Sequence, residues 1–227
     1  MAESKVIDAD GHIIERTDEL RKYLKSPFNK RGGPLTASEP WDRALQQTLP
    51  PEPCTFPSAP NAQDWLRLLD DHGIEQAFLY PTALGNVSRI REPEYAVALA
   101  QAYNDYVHDR YTKVSDRLRP VTLLPFQDPE NAVVELRRAV HELGCRGAVV
   151  RTTGLRLPLG HKFYDLIYRE AETLGCALYI ARLVAIYLAL LNFHLLRSVF
   201  AFTTSSCELL SIFRRSNSIS KATRSAI

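Results

Sequence analysis

Residues 181–227 contain no glycine and no proline, although all ten glycines and all fourteen prolines of the chain lie before them. That stretch holds one acid, Glu208, against six bases: Arg182, Arg197, Arg214, Arg215, Lys221 and Arg224. Alternating strands and helices need turn residues between them, and this segment lacks the strongest ones. Cysteine is also scarce. Cys54, Cys145, Cys176 and Cys207 form no C-x-x-C pair, and Met1–Lys5 lacks the apolar region of a signal peptide. The thiols therefore read as reduced, in a cytoplasmic protein. No G-x-G-x-x-G or P-loop follows any strand-like run, which weakens a nucleotide-binding reading. A net charge of +2 gives no reason to expect a nucleic-acid partner.

What is present is ordinary globular material, 45% apolar and 24% charged, enough for one core. Val6-Ile7-Asp8-Ala9-Asp10 reads as a buried first strand, and residues 18–24 as a short helix. From Arg31 to Asn61 seven prolines exclude regular structure, and this insertion reads as a loop where substrate-binding surface is built. A unit then recurs. Residues 63–72 form a helix that Gly73 ends, before the strand Ala77–Tyr80. A long helix from about Glu92 to Asp116, with Leu99, Ala102, Tyr103, Tyr106 and Val107 inward, precedes the strand Val121–Leu124. Asp128 caps a helix with Pro129 at its first position and an apolar stripe of Val133, Leu136, Val140 and Leu143. Gly144 ends it before the strand Gly147–Val150. A further helix with Phe163, Leu166, Ile167 and Leu174 on one side closes at Gly175, before the strand Ala177–Ile180. Five apolar strands alternating with helices imply a parallel sheet covered on both faces, either open or closed into a barrel.

The strongest chemical signal is Asp8-Ala9-Asp10-Gly11-His12-Ile13-Ile14-Glu15. Residues two apart on a strand point the same way, so Asp10 and His12 form half of a site for Zn²⁺, Mn²⁺ or Fe²⁺. The competing reading is a surface turn, or an Asp10 that caps the segment after it. Arg151, after the fourth strand, reads either as a partner for a substrate carboxylate or as a solvated loop arginine, the second being the commoner case. Tyr80 at another strand end reads as packing or as a catalytic aromatic, the first being the commoner case. His72, His108, His141 and His161 lack acidic or cysteine partners at ligand spacing and read as bystanders.

The stretch V-I-D-A-D-G-H-I-I-E resembles the first strand of the amidohydrolase-related (amidohydrolase 2) family, whose relatives include aminocarboxymuconate-semialdehyde decarboxylase. Leu123–Glu130, Glu142–Gly147, and Phe163-Tyr164-Asp165 through Gly175 are similar to that family's fourth and fifth repeats, and the resemblance runs through residues 5–180. It implies an α/β fold, here a partial (β/α)₈ TIM barrel of about five βα units, with a divalent metal, zinc first and manganese or iron next, at the mouth. It implies hydrolysis, or decarboxylation of a small carboxylate substrate. Much of the family ends this strand in H-x-H. Asp10-x-His12 is similar to a variant that also carries a glutamate three residues on, as Glu15 does, and Glu15 is expected to be an accessory. The family's histidine at the end of the fifth strand has no counterpart at Ala181-Arg182. Its later catalytic histidine and last-strand aspartate are missing too, and His194 matches no family motif.

The expectation is therefore a chain of two parts: residues 1–180 as the first part of the barrel, and residues 181–227 as an apolar and basic tail outside it. A complete barrel typically needs about 250 residues. Residues 183–202 are long and apolar enough to span a membrane, but Asn192, His194 and Arg197 oppose insertion, and a membrane partner is not expected. An out-of-frame tail is the leading reading, ahead of a diverged helix covering the sheet or a membrane anchor. The chain then reads as a truncated, inactive enzyme whose open sheet edges lead to homo-oligomers or aggregation. The competing class is a non-catalytic half-barrel that binds a partner or membrane through the apolar tail.

Overall fold

The computed structural model describes residues 6–32, 35, 59–151 and 154–181. Every described residue lies in one compact unit, Met1–Leu183. The tail reading, His194, Cys54, Cys207 and most of the proline-rich insertion thus fall outside the described residues.

Strand β1 (Val6–Ile13) is followed by a single helical turn, α1 (Thr17–Leu20). Helix α2 (Ala62–Asp71) begins at a reciprocal cap in which the Asn61 side chain accepts from Gln63 and Asp64 while Asp64 accepts from the Asn61 amide. Strand β2 (Ile74–Pro81), helix α3 (Pro93–Val107) and the strand pieces β3 (Leu118–Pro120) and β4 (Thr122–Leu123) come next. Helix α4 (Pro129–His141), β5 (Gly147–Arg151), α5 (Asp165–Leu174) and β6 (Ala177–Ala181) complete the series.

All ladders are parallel: β1 with β2, β2 with β3, β4 with β5, and β5 with β6. Pieces β3 and β4 are one run of chain that changes neighbour at Val121, whose amide donates to the Leu79 carbonyl at 2.9 Å. The five strand positions expected from sequence are therefore present in order, with the third one split. Curvature distinguishes a barrel from a flat sheet. Strands β2 and β6 stand three positions apart, about 14 Å on a flat sheet. Yet the rings of Tyr80 and Tyr179 are 5.5 Å apart and those of Phe78 and Tyr179 are 6.1 Å apart. The array is a trough, part of a (β/α)₈ barrel wall. Gly147 permits this convergence, because a Cβ there would strike the Tyr179 ring.

The helices pack on the outer side of the strands. One cluster joins Trp65, Leu69, Leu79, Leu99 and Tyr103 behind β1–β3, and a second joins Leu136, Ala148, Val150 and Ile167 behind β5.

Several boundaries differ from the sequence reading. Helix α3 stops at Val107 and passes into a π-helical turn, His108–Thr112, rather than continuing to Asp116. The inward face of α4 is centred on Ala132, Glu135, Leu136 and Ala139, while Val133 and Val140 are only partly buried. Phe163 and Leu166 are 42% and 53% exposed, because Phe163 belongs to a 3₁₀ turn before α5 and the buried face runs through Tyr164, Ile167 and Ala171. The buried face of α4 includes Ala132, Ala139 and Glu135, which a search for large apolar residues passes over. The glycine stops hold: Gly73, Gly144 and Gly175 have φ of 62°, 70° and 60°.

Candidate functional site

Parallel strands deliver all their C-terminal ends to one rim. The end of β1 brings Asp10 and His12, the end of β2 brings Tyr80 and Thr82, and the end of β5 brings Arg151. His12 and Tyr80 are register partners, with ring centroids 6.0 Å apart. Gly11, between the two polar residues, faces the opposite side, where a Cβ would collide with Leu79 and Trp65 of the helix-side core. That packing anchors the strand and leaves Asp10 and His12 on the trough side.

His12 Nε2 lies 3.8 Å from Asp10 Oδ1. Two donors sharing one tetrahedral ion at about 2.1 Å stand about 3.4 Å apart. The pair is thus within a few tenths of an ångström of that spacing, and its donors, a carboxylate oxygen and an imidazole nitrogen, suit a divalent cation. The Asp10 backbone amide donates to Asp8 Oδ1 at 3.0 Å. Burial holds the His12 pKa below its usual 6.5; the carboxylates of Asp10 and Asp8 oppose that shift and the Arg151 charge adds to it. A neutral imidazole is the ligating form. Among the described residues no group of three or more His, Cys, Asp or Glu side chains converges on one point. Asp10 and His12 are therefore a pair, one donor short of the three that a catalytic zinc site usually takes from its protein.

Arg151 is not a solvated loop residue. It ends β5, is 9% exposed, and rests on Gly85 in the 3₁₀ helix after β2, where any Cβ would meet its guanidinium. As the last residue of β5 it stands at the same end of the parallel array as His12 near the end of β1. Glu15 reaches the turn after β2. Its Oε1 accepts the backbone amides of Thr82 at 2.9 Å and Leu84 at 3.3 Å. Tyr80 is half-buried, and burial together with Tyr179, Asp10 and Asp8 raises its pKa, so it stays a neutral phenol. The other described histidines are spent locally or exposed. His72 and His108 contact the carbonyls of Leu68 and Leu143, His161 accepts from the Phe163 amide, and His141 is exposed. Cys145 and Cys176 are buried free thiols, and burial raises both pKa values.

Sequence reasoning missed Thr82, Gly85 and Tyr179. Thr82 follows Tyr80-Pro81 directly and was within reach of a rule that reads the residues after each strand. Nothing local distinguishes Gly85 or Tyr179, since their roles depend on partners 66 and 32 residues away, at Arg151 and Gly147.

A family model described as amidohydrolase matches residues 7–192, which runs past the change of composition at residue 180. Gamma-resorcylate decarboxylase of Rhodococcus jostii is 37% identical over 127 residues, which is 51% of this chain and 37% of that protein. The 2-amino-3-carboxymuconate-6-semialdehyde decarboxylase of Dictyostelium discoideum is 30% identical over 111 residues, 49% of this chain and 30% of its own. The structure of 5-carboxyvanillate decarboxylase from Novosphingobium aromaticivorans, complexed with manganese and 4-hydroxy-3-methoxy-5-nitrobenzoic acid, superposes with a TM-score of 0.59 at 22% identity. That superposition covers 78% of this chain and 49% of the other. The chain thus spans about a third of the length of these curated relatives and about half of the solved structure. The parallel trough, the rim pair Asp10 and His12 and the match over residues 7–192 have one reading: this chain belongs to the amidohydrolase family.

Proposed function

We propose that the described residues carry the first part of the active site of a divalent-metal-dependent decarboxylase acting on a small carboxylated aromatic or unsaturated acid. Asp10 and His12 are the metal ligands in this reading, and Arg151 binds a substrate carboxylate. The observation that carries it is the convergence of Asp10 Oδ1 and His12 Nε2 to 3.8 Å at the rim of a parallel trough. The aromatic side chains Phe78, Tyr80 and Tyr179 cluster in the trough, packed at an angle to one another, and offer an aromatic lining to a conjugated ring. The relatives' names favour decarboxylation over hydrolysis, and the manganese in the carboxyvanillate enzyme makes Mn²⁺ the first ion to try, ahead of the zinc expected from sequence.

A divalent ion held there would supply positive charge against the negative charge that builds up as the carboxyl group leaves. The chain's own residues do the rest. Arg151 offers a second positive charge from a seat fixed by Gly85. Tyr80, kept neutral, orients the aromatic ring without adding a competing anion.

Among the described residues the pair is two donors, fewer than a catalytic site usually takes, and we infer metal binding without efficient turnover. Residues 182–227, which follow the last residue of β6, are proposed to lie outside the barrel, and the edges of β1 and β6, unpaired among the described residues, are proposed to drive self-association. The test is metal analysis of the purified 227-residue chain after dialysis against Mn²⁺. Near-stoichiometric manganese that falls more than about a hundredfold in affinity in His12→Ala supports the reading, since even residues behind a ligand are worth about 10–100-fold. Equal metal retention in both proteins overturns it.

A further inference from the structure

We propose that Thr82 is a positioning residue for His12, and that Glu15 acts by holding Thr82. Together they keep the imidazole proton on Nδ1 and turn the Nε2 lone pair toward Asp10. The purpose of this device rests on the metal-site reading above, but the device itself exists in the metal-free protein and is testable there.

The two ring nitrogens of His12 have different surroundings. Nδ1 is 3.2 Å from Thr82 Oγ1, within hydrogen-bond range, whereas Nε2 is 3.8 Å from Asp10 Oδ1, beyond it. Among the described residues, a ring proton on Nδ1 has an oxygen within donating distance, and one on Nε2 has none. With the neutral ring donating from Nδ1 to Thr82 Oγ1, Nε2 is left as the acceptor facing Asp10.

Thr82 is itself fixed. Its backbone amide donates to Glu15 Oε1 at 2.9 Å, and the Leu84 amide donates to the same oxygen at 3.3 Å. One carboxylate oxygen thus gathers two amides at the turn from β2 into the 3₁₀ helix Ala83–Arg89. Charge-assisted bonds of this kind are roughly twice as strong as neutral ones. Threonine adds its own stiffness, because branching at Cβ restricts χ1.

The topology closes the loop. His12 and Tyr80 are register partners on adjacent parallel strands, Thr82 lies two residues beyond Tyr80, and Glu15 lies three beyond His12. The exit of β1 therefore reaches across to the exit of β2 and fastens the hydroxyl that faces His12. Glu15, expected from sequence to be an accessory at the metal, acts here one step removed from it.

Ligating histidines usually donate their second ring nitrogen to an oxygen, and loss of such a partner costs about 10–100-fold in metal affinity. A neutral hydroxyl at an exposed contact belongs at the low end, about tenfold.

The experiment uses the full chain, ¹⁵N-labelled and metal-free, with Thr82→Val, Thr82→Ser and Glu15→Ala. Two-bond ¹H–¹⁵N spectra report the His12 tautomer, amide exchange reports Thr82 and Leu84, and Mn²⁺ titration reports affinity. The wild-type chain and Thr82→Ser are expected to show His12 protonated on Nδ1. Thr82→Val is expected to show mixed tautomers and about tenfold weaker Mn²⁺ binding. Glu15→Ala is expected to speed exchange at both amides, which Thr82→Val leaves slow. If Glu15→Ala does not fold, the two Thr82 variants still decide. A Thr82→Val protein with the wild-type tautomer overturns the proposal. A wild-type chain that binds no Mn²⁺ yet holds the Nδ1 proton overturns the metal reading and leaves the Thr82 contact standing.

Discussion

A single methyl group added at Gly85 would enter the space taken by the Arg151 guanidinium. The obstacle is the far end of a flexible side chain, so Gly85→Ala should cost little stability, about 1 kcal/mol. It should instead displace the charge proposed to bind carboxylate. Thermal melts and titration with gamma-resorcylate separate the two effects: a nearly unchanged melt with weakened binding is expected, and unchanged binding removes Arg151 from the proposal. At His12 the sign of the pH effect comes from the lowered pKa. The folded chain gives up the imidazole proton more readily than the unfolded chain does. Acidification through the ordinary histidine value of 6.5 therefore costs stability, while Mn²⁺ binding should persist somewhat below that pH. Affinity measured across about pH 5–8, the range in which histidine charge changes, checks this. Loss of binding beginning above 6.5 contradicts it.

At the scale of elements, one buried polar cluster joins α3, β4 and α4. Asn104 Nδ2 donates to the Leu123 carbonyl at 3.0 Å and to Glu135 Oε1 at 2.6 Å, and its Oδ1 accepts the Leu123 amide at 2.9 Å. Glu135 is fully buried and receives Arg138, which also reaches Asp105 at 2.5 Å. Among the described residues the short piece β4 has only β5 as a ladder neighbour, and Asn104 bonds both backbone groups of Leu123 on the other side. Asn104→Ala would leave both Leu123 backbone groups without that partner. A loss of about 2–4 kcal/mol in urea unfolding is expected, given about 1–3 kcal/mol per unsatisfied buried group. A loss below about 1 kcal/mol would mean that water replaces the side chain.

At the largest scale, the decisive feature among the described residues is the pair of outer strands, β1 and β6. Among the described residues β1 pairs only with β2, and β6 only with β5. Val6 and Ile7 on one and Ile180 on the other are more than half exposed. Unpaired edges with apolar side chains template association. Light scattering of the full chain should therefore show oligomers that grow with concentration, and a monodisperse monomer with one cooperative melt would contradict this. Among the described residues no helix is long and apolar enough to cross a membrane.

Local pattern determined much of this protein. Strand order, the glycine stops at Gly73, Gly144 and Gly175, the Asp128 cap and the shared orientation of Asp10 and His12 all depend on residues within a few positions of one another. Tertiary structure alone decided the curvature, the split of the third strand at Val121, the burial of Arg151 over Gly85, and the link from Glu15 through Thr82 to His12. The reason is physical. Periodicity records which side of an element is apolar, but a packing seat or a hydrogen bond between residues 67 or 70 positions apart is fixed only when the sheet curls and brings the strand ends to one rim.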